Sequence, residues 1–291
     1  MLLTGGTGFL GSKLLKAFIK RNFEIVLLKR LASNCSRIKD CVYNEKVFVY
    51  NIEEVQIKSI FEQHDVDIVV HCATNHGRDD DIVNVERCNV VFPLAILQEI
   101  GSSKSFKSKI FINADTALSK KTSAYSLSKK QFCEWLNFSA IQSVNLRLSN
   151  FYGADYDLNN FTTFVIRSML NNVSKLDLTL GEQKRRFIYI DDVVNAFLTL
   201  IGNKDRIQDK FTSIDVSVEE STSIKDFVLK VKEFTKNTTT VLNFGKIPYR
   251  INESMDLVLD NIKTLYDLGW SPKFSLDDGL QLTVKQEKMI K

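Results

Sequence analysis

Tyr125 and Lys129 stand four residues apart in the run Tyr-Ser-Leu-Ser-Lys. On a helix this spacing is about one turn, so both side chains lie on the same face. Free tyrosine loses its proton only near pH ~10, and a nearby cation favours the phenolate and lowers the pKa. The pair therefore predicts a proton donor or acceptor at a carbon that exchanges a hydride, with Lys129 also able to hydrogen-bond to a cofactor ribose. Two ordinary surface residues of a helix are the alternative.

Thr116 supplies a third polar group, because it follows a run of apolar residues that we predict to be a strand. Its hydroxyl then lies at the carboxyl end of the sheet, which is the edge at which open α/β sheets bind ligands. We expect this hydroxyl to hydrogen-bond to the reacting oxygen. Thr116, Tyr125 and Lys129 are therefore the predicted catalytic residues.

Three glycines, Gly5, Gly8 and Gly11, stand between a predicted strand and a predicted helix. The first permits a tight turn, the second lets the backbone approach a pyrophosphate, and the third lets helix and strand pack closely. The helix N-terminus then offers free N–H groups to the phosphates. A purely structural turn is the alternative. The predicted dinucleotide contacts of this loop are Gly5, Thr7, Gly8, Phe9, Leu10 and Gly11.

The end of the second predicted strand distinguishes between the two nicotinamide dinucleotides. An acid at this point would accept the ribose hydroxyls of NAD, but the chain has Lys29 and Arg30. A guanidinium here can pair with a 2′-phosphate, so the sequence favours NADP(H), with NAD(H) still possible. Ser33, Ser36 and Arg37 could add phosphate contacts. Two solvated cations are the alternative.

The elements that position these residues alternate between strand and helix over the first half of the chain. Near-continuous apolar strands between amphipathic helices are typical of a parallel, doubly wound sheet. We expect Pro93 to kink the third helix. Strands are predicted at 1–3, 24–28, 47–50, 67–72, 109–113 and 144–148, and helices at 11–21, 54–63, 82–100 and 124–141.

The second half of the chain has a looser pattern, which suits a smaller, mixed α/β substrate domain. The fold class is therefore α/β, with a dinucleotide-binding Rossmann domain over residues 1–150 and a mainly substrate-binding domain over 151–291. Segments near 187–216 are expected to rejoin the first sheet. The predicted elements are helices at 159–170, 191–201 and 223–236, strands at 176–180 and 187–190, and two short helices around Leu265 and Leu280.

Composition limits the classes of partner. The 291 residues carry a net charge of +4, with the cations scattered among 35 acids, so nucleic acid is not expected. Five cysteines without CxxC spacing and three histidines give no metal pattern, and they suggest reduced thiols. We see neither a leader before the glycine loop nor an apolar run long enough for a membrane span, so a cytoplasmic location is expected.

These motifs together resemble the extended short-chain dehydrogenase/reductase family of nucleotide-sugar epimerases, dehydratases and reductases, over nearly the whole chain. Residues 4–11 resemble its opening signature, and Tyr125 with Lys129 matches its catalytic pair. The resemblance implies further cofactor contacts. Asn51 and Ile52 would lie beside the adenine. The segment after His71 would contribute Cys72, Ala73 and Thr74, and the helix behind the active site would contribute Asn89. Asn51 replaces the usual acid.

The second half carries further parts of the resemblance. Residues 147–153 are similar to the family's Arg-x-x-Asn-x-Tyr-Gly segment, which implies that Asn150 faces the sugar diphosphate. Residues 183–193 resemble its Gln-x-Arg-x-Phe segment, in which Arg185 would bind the nucleotide part. Arg250, with Asp260 and the Leu-Gly-Trp at 268–270, resembles the C-terminal signature, in which the arginine takes a phosphate. Surface ion pairs are the alternative for both arginines.

Departures from the family pattern reduce the number of reactions that the chain is expected to catalyse. Dehydratases place Asp-Glu directly after the threonine, whereas here Ala117 and Leu118 follow it and Asp115 precedes it. The residues around Thr116 and those at 125–132 resemble the 4-keto-3,6-dideoxyhexose reductases of O-antigen synthesis. We therefore expect NADPH-dependent reduction of the 4-keto group of a nucleotide-linked deoxysugar, of the CDP-3,6-dideoxyhexose type.

Two other functions remain open from the sequence. An NAD-dependent 4-epimerase would use the same residues, and a dinucleotide-sensing binding protein would do no chemistry. The family resemblance also implies a homodimer, formed through the helices at 82–100 and 124–141.

Overall fold

The computed structural model describes residues 1–78, 81–102 and 109–290. Its centre is a seven-stranded, fully parallel sheet with the strand order β11-β6-β5-β4-β1-β2-β3. The strands of this sheet are β1 Leu2–Thr4, β2 Ile25–Lys29, β3 Val47–Asn51, β4 Ile68–His71, β5 Ile110–Thr116, β6 Gln142–Leu148 and β11 Phe211–Val216. This order confirms the predicted Rossmann-type α/β fold.

Helices cover both faces of the sheet. They are α1 Phe9–Lys20, α2 Ile57–Gln63, α3 Ile82–Glu86, α4 Phe92–Ser102, α5 Ala124–Phe138, α6 Phe161–Leu170, α7 Ile190–Gly202, α8 Ile224–Thr235, α9 Lys263–Asp267 and α10 Leu276–Ile290. Helices α1 and α7 pack in one hydrophobic cluster, and α2, α4 and α5 pack in another. Successive side chains of a strand point to opposite faces of the sheet, so neighbouring residues belong to different clusters, as Leu3 and Leu2 of β1 do.

In the residues that the structure describes, six short strands form three two-stranded ladders outside the central sheet. They are β7 Asn150–Tyr152, β8 Lys175–Asp177, β9 Lys184–Arg185, β10 Phe187–Tyr189, β12 Thr222–Ser223 and β13 Val241–Asn243. Strand β7 pairs with β10, β9 with β12, and β8 with β13. This half of the chain is mixed, as expected, and the domain boundary at residue 150 stays a prediction.

The predicted helix at 82–100 is observed as α3 and α4 joined by a π-helical segment, Arg87–Val91. Pro93 is the second residue of α4, directly after this segment. A proline has no backbone N–H to donate, and the wider turn before it accommodates this missing hydrogen bond.

Two elements differ from the sequence-based expectation. Strand β11 lies within the segment near 187–216 that was expected to rejoin the first sheet, but no strand was predicted at its position, because its run Phe-Thr-Ser-Ile-Asp-Val has no continuous apolar stretch and only its last three residues are buried. It pairs with β6 at the edge of the sheet. Helix α10 has 15 residues, longer than the short helix expected around Leu280.

Several further properties bear on the function. None of the helices in the described residues is long and apolar enough to cross a membrane. Within the same residues there is no cluster of His, Cys, Asp and Glu that could bind a metal ion. All five cysteines are free thiols.

Candidate active site

The glycine loop connects β1 to α1 in a tight turn. Gly5 has a φ of +70°, and a Cβ on it would lie 2.5 Å from the backbone N of Ala73. A Cβ on Gly11 would lie 2.1 Å from the carbonyl oxygen of Gly5. Gly8 is exposed, and the nearest atom to its added Cβ is 3.3 Å away. Gly5 and Gly11 therefore allow the close packing, and Gly8 is the glycine that a ligand can approach, as its position in the motif predicts.

Helix α1 begins directly after Gly8 and has no side chain capping its first turn. Phe9 and Leu10 are buried, with 4% and 7% of their surface exposed. Any contact of these two residues with a phosphate therefore goes through their backbone N–H groups, at the positive end of the helix dipole.

The residues expected beside the adenine lie where β2 and β3 end side by side. The Lys29 ammonium donates to the side-chain oxygen of Asn51 at 2.7 Å, across the β2–β3 pair. Arg30 is exposed. The backbone N–H of Leu31 donates to the Glu53 carboxylate at 2.9 Å. Since Asn51 engages Lys29, Arg30 is the better candidate for contact with a 2′-phosphate.

Arg37, expected as a further phosphate contact, is engaged elsewhere. Its guanidinium donates to the carbonyl and carboxylate oxygens of Asp155 and to Asp157, at 2.6 to 3.1 Å. The structure therefore places Arg37 as a tie between the loop after β2 and the loop after β7.

The loop after β4 forms the wall opposite the glycine turn. The backbone N–H of Ala73 donates to the Thr4 hydroxyl at 3.3 Å. The buried side chain of Asn89 accepts from the Asn75 N–H at 2.7 Å and from the Thr74 hydroxyl at 3.2 Å. Its amide also donates to the Ser128 hydroxyl at 2.9 Å. Asn89 thus fixes this loop against α5, and the polar atoms of its side chain are engaged within the protein.

Helix α5 presents Tyr125 in its first turn. Ser123 caps the helix by accepting from the Ser126 N–H, and the Ser126 hydroxyl accepts from the Ser123 N–H, which makes a capping box. Because this box fixes the first turn, Tyr125 has a defined direction. Its hydroxyl lies near the Thr116 hydroxyl at the end of β5, close enough for Thr116 to act on the pKa of the phenol. Two of the three predicted catalytic residues are therefore brought together.

The protonation of Tyr125 differs from the sequence-based expectation. Burial raises the pKa of the phenol, and the charge of Asp115 and the nearby Tyr156 raise it further, while the interaction with Thr116 lowers it. The net direction is therefore opposite to the expected lowering, because the burial of the phenol outweighs the interaction that favours the phenolate. The phenol stays protonated around neutral pH, which is the state of a proton donor.

Lys129 is 1% exposed, and its ammonium has no hydrogen-bond partner within the described ranges. Burial lowers the pKa of Lys129, while Asp115 and the Cys72 and Cys88 thiols act on it in the opposite direction. Lys129 therefore lies near the end of β5 and the loop after β4. A buried ammonium that lacks acceptors fits a ribose, whose hydroxyls would supply them.

His76 is a residue that the sequence analysis missed. Its ring centroid lies 4.8 Å from that of Tyr125, with a tilt of 46° between the planes. Although the residue as a whole is exposed, contact of the ring with the protein and the charges of Arg78 and Lys129 lower its pKa to about 4. A lone His in a loop has no sequence pattern, and only the fold brings it to Tyr125.

The predicted substrate-binding residues lie around β7 and β9. Asn150 is exposed, and its backbone N–H donates to the carbonyl of Arg186 at 3.1 Å. Arg185 is 7% exposed, forms an ion pair with Glu253 and donates to the Ser254 carbonyl at 2.8 Å. Arg250 is exposed and close enough to act on Arg185 electrostatically. The fold therefore brings these residues near one another, but Glu253 engages the Arg185 guanidinium.

Asp260, expected as part of the C-terminal signature, forms an ion pair with Arg147. Arg147 also pairs with the buried Asp215 at 2.6 Å, and the backbone N–H of Asp260 donates to the same carboxylate at 2.7 Å. These contacts fix the segment before α9 to the edge of the central sheet.

Comparison with protein families identifies the family of this chain. A model of the NAD dependent epimerase/dehydratase family matches residues 1–212. The chain belongs to this family. It is therefore an enzyme, and the binding-only alternative is set aside. A nicotinamide dinucleotide is the cofactor that the family description names, and the open Gly8 and the buried Lys129 ammonium both fit it.

Curated relatives share nearly the full length of the chain. It is 29% identical to CDP-abequose synthase of Salmonella typhimurium over 98% of this chain and 97% of that protein. It is 27% identical to dTDP-4-dehydro-6-deoxyglucose reductase of Escherichia coli over 98% and 96%.

Solved structures share the fold. UDP-glucose 4-epimerase of Thermotoga maritima superposes with a TM-score of 0.81 at 22% identity, over 100% of this chain and 99% of that one. UDP-glucose 4-epimerase of Thermus thermophilus, solved with NAD, gives 0.80 at 20% identity over 99% and 98%.

Proposed function

We propose that this enzyme catalyses the NADPH-dependent reduction of the 4-keto group of a nucleotide-linked deoxysugar, of the CDP-3,6-dideoxyhexose type, for the synthesis of cell-surface polysaccharide such as O-antigen. The observation that carries the proposal is the placement of Tyr125, in the first turn of α5, beside Thr116 at the carboxyl end of β5, with the buried Lys129 ammonium one helical turn further along α5 and without a partner in the described residues. A ketone reduction needs a proton donor beside the carbonyl oxygen, whereas oxidation of an alcohol needs a base. Similarity to the two relatives described above supports a nucleotide sugar as the substrate.

Each residue of the site has a role in this reaction. The Thr116 hydroxyl holds the carbonyl oxygen, and the Tyr125 phenol gives it a proton. Lys129 hydrogen-bonds to the cofactor ribose. The reduced nicotinamide, when bound, supplies the hydride, so the protein contributes orientation and electrostatics. We further propose that Asn150, Arg185 and Arg250 bind the sugar diphosphate, with the arginines making charge-assisted contacts.

The position of Asp115 supports reduction over dehydration. Its carboxylate is fully buried and paired with Lys130 at 2.7 Å, so it is held as a charged partner of Lys130 and is not free to act as an acid. Ala117 and Leu118 occupy the two positions after Thr116, where a dehydratase carries its acids.

An NAD-dependent 4-epimerase is the second candidate. The family description and the epimerase neighbours in structure favour it, and the same Thr116, Tyr125 and Lys129 would serve. An epimerase returns the hydride that it removes and therefore retains its cofactor between turnovers.

The cofactor distinguishes the two candidates. The purified enzyme is assayed for bound dinucleotide, and dissociation constants are then measured for NADPH and NADH. A site free of dinucleotide and tighter binding of NADPH support the reductase, whereas NAD retained through purification supports the epimerase. Arg30→Ala is expected to weaken NADPH binding by about tenfold with little effect on NADH, since one lost phosphate contact is worth about 1.4 kcal/mol. Lys39→Ala, at another exposed cation, is the control.

We also propose a homodimer through the helices at 82–100 and 124–141. Leu127, Trp135 and Phe138 are exposed by 43%, 48% and 81%, and they lie on one face of α5. Apolar residues in such a row favour a partner surface. Sedimentation velocity tests this: Trp135→Glu should convert a dimer to monomer, and a wild-type monomer at micromolar concentration contradicts the proposal.

A further inference from the structure

Asp115 is a buried carboxylate at the end of β5, one residue before Thr116. Its side chain is 0% exposed and accepts from the Lys130 ammonium at 2.7 Å and the Asn145 amide at 2.9 Å. It also accepts from the backbone N–H of Thr116 at 2.6 Å. A buried charge needs such partners, and these three fix its position.

Lys130 connects this carboxylate to the helix that carries Tyr125. Its ammonium donates to Asp115 and also to the backbone carbonyl of Thr116 at 2.6 Å. One side chain of α5 therefore binds two successive residues at the end of β5. These are the two elements that bring Tyr125 and Thr116 together.

The network continues into the sheet. The Asn113 amide donates to the side-chain oxygen of Asn145 at 2.7 Å, and the two residues face each other across the β5–β6 pair. The Asn145 amide that binds Asp115 also reaches the Ser213 hydroxyl of β11, at 3.3 Å. Asp115 is therefore anchored to two further strands of the central sheet.

We propose that the Asp115–Lys130 pair is the positioning device of the reaction. It holds Thr116 and Tyr125 at the separation at which both hydroxyls reach one carbonyl oxygen, and it does not touch the substrate. This inference rests on the proposed function, in which Tyr125 is the proton donor.

The same pair controls the charge around Tyr125. The Asp115 carboxylate raises the pKa of the phenol, and Lys130 offsets that carboxylate. The groups that act on Tyr125 are Asp115 and Thr116 on β5 and Tyr156 after β7, and the His76 ring packs against it. Arg78 and Lys129 act on His76, and Lys130 is paired with Asp115. His76 and Tyr156 are neutral between pH 5 and 10, because their pKa values are about 4 and about 12.

The test uses Lys130→Met, Asp115→Asn and the double variant in the full-length enzyme. The double variant keeps the test valid if Lys130→Met alone unfolds, since it leaves no unpaired buried charge. Lys230→Met is the matched control, because it removes an ion pair of the same 2.7 Å length between α8 and α10. For each variant, kcat, KM, the dissociation constant of the cofactor, Tm and the pH profile of kcat are measured.

We expect kcat of the double variant to fall by about 10²-fold, since a displacement of about 1 Å has this effect on catalysis. KM and cofactor binding should stay within threefold of wild type. Asp115→Asn should move the alkaline limb of the kcat profile to lower pH, because it removes a negative charge that raises the Tyr125 pKa. Lys130→Arg should restore part of the rate. A kcat within twofold of wild type for the double variant, with an unchanged pH profile, overturns the inference.

The outcomes separate this inference from the proposed function. If Tyr125→Phe retains activity, the proposed function fails. If Tyr125→Phe is inactive while the double variant is fully active, only the positioning role fails. Should wild type act as an epimerase, epimerisation replaces ketone reduction as the assay, and the same loss of kcat is expected.

Discussion

The active site contains two buried cationic side chains, and they differ in whether the protein supplies hydrogen-bond partners for them. At the reacting end, Lys129 is 1% exposed and its ammonium has no partner among the residues that the structure describes. At the end that we propose binds the substrate phosphates, Arg185 is 7% exposed and its guanidinium is paired with Glu253 and bonded to the Ser254 carbonyl. The Lys129 ammonium is therefore available to a ligand, whereas the Arg185 guanidinium is already engaged by other residues of the protein.

This difference indicates where rearrangement accompanies binding. A cofactor ribose would meet Lys129 without displacing any protein group. A diphosphate that reaches Arg185 competes with the Glu253 carboxylate for the same donors. We therefore expect substitutions at the reacting end to change kcat, and substitutions near Glu253 to change the affinity for the nucleotide sugar.

The largest expected effect belongs to Tyr125→Phe. Removal of the phenol proton should lower kcat by about 10² to 10⁴-fold, the usual contribution of a general acid. The dissociation constant of NADPH should stay within threefold of wild type, because the ring keeps its packing against His76. Steady-state kinetics and fluorescence titration measure the two quantities. Equal losses in kcat and cofactor affinity would show that Tyr125 supports the fold of the reacting end.

Gly11→Ala tests the close packing of the glycine loop, which is the proposed binding site of the cofactor phosphates. Its Cβ would lie 2.1 Å from the Gly5 carbonyl oxygen, so the loop must shift. We expect a loss of stability of about 1–3 kcal/mol from overpacking and a cofactor affinity too weak to measure. Gly202→Ala is the matched control, because no atom lies within 4 Å of its added Cβ. Thermal denaturation and cofactor titration give both values, and wild-type affinity in Gly11→Ala contradicts the role assigned to the loop.

Glu253→Gln tests the substrate-phosphate end. Removing the negative charge frees the Arg185 guanidinium, so KM for the nucleotide sugar should fall by about three- to tenfold, equivalent to about 1 kcal/mol. kcat should change by less than twofold, since Glu253 does not contact Tyr125 or Thr116 in the described residues. A higher KM would mean that Glu253 holds Arg185 in its binding position and does not compete with the substrate.

The smallest expected effect is that of pH on the reductive reaction. The pKa of Tyr125 is raised, so the phenol stays protonated, and able to donate, as the pH rises through neutral into the alkaline range. The pKa of His76 is lowered to about 4, so the imidazole does not gain a proton above pH 5. kcat should therefore be nearly constant from pH 6 to 9, as stopped-flow measurements can determine. A loss of kcat near pH 7 would assign the proton transfer to another group.

Local motifs carried most of what the sequence predicted. The glycine spacing is contained in residues 5–11, and Tyr125 and Lys129 are one helical turn apart, so their geometry follows from local backbone structure. The parallel sheet also followed from the alternation of apolar strands with helices. Strand β11 escaped prediction, because an edge strand that is buried along half its length lacks a continuous apolar run.

The contacts that tune the site are long-range, and a sequence pattern does not contain them. Glu253 reaches Arg185 across 68 positions of the chain, and Arg37 reaches Asp155 across 118. Whether a carboxylate satisfies a particular arginine depends on how two loops meet. The raised pKa of Tyr125 has the same origin. It depends on the burial of the phenol and on its distance from Asp115, and the fold determines both.

The stoichiometry of the reaction tests the central claim most directly. The enzyme is incubated with NADPH and a CDP-linked 4-keto-3,6-dideoxyhexose, and NADP⁺ and the sugar product are quantified by NMR. Our account predicts one NADP⁺ formed for each 4-hydroxy sugar, and no product with Tyr125→Phe. Conversion of a 4-hydroxy nucleotide sugar to its epimer without net change in cofactor, together with no reduction of the ketone, would contradict it.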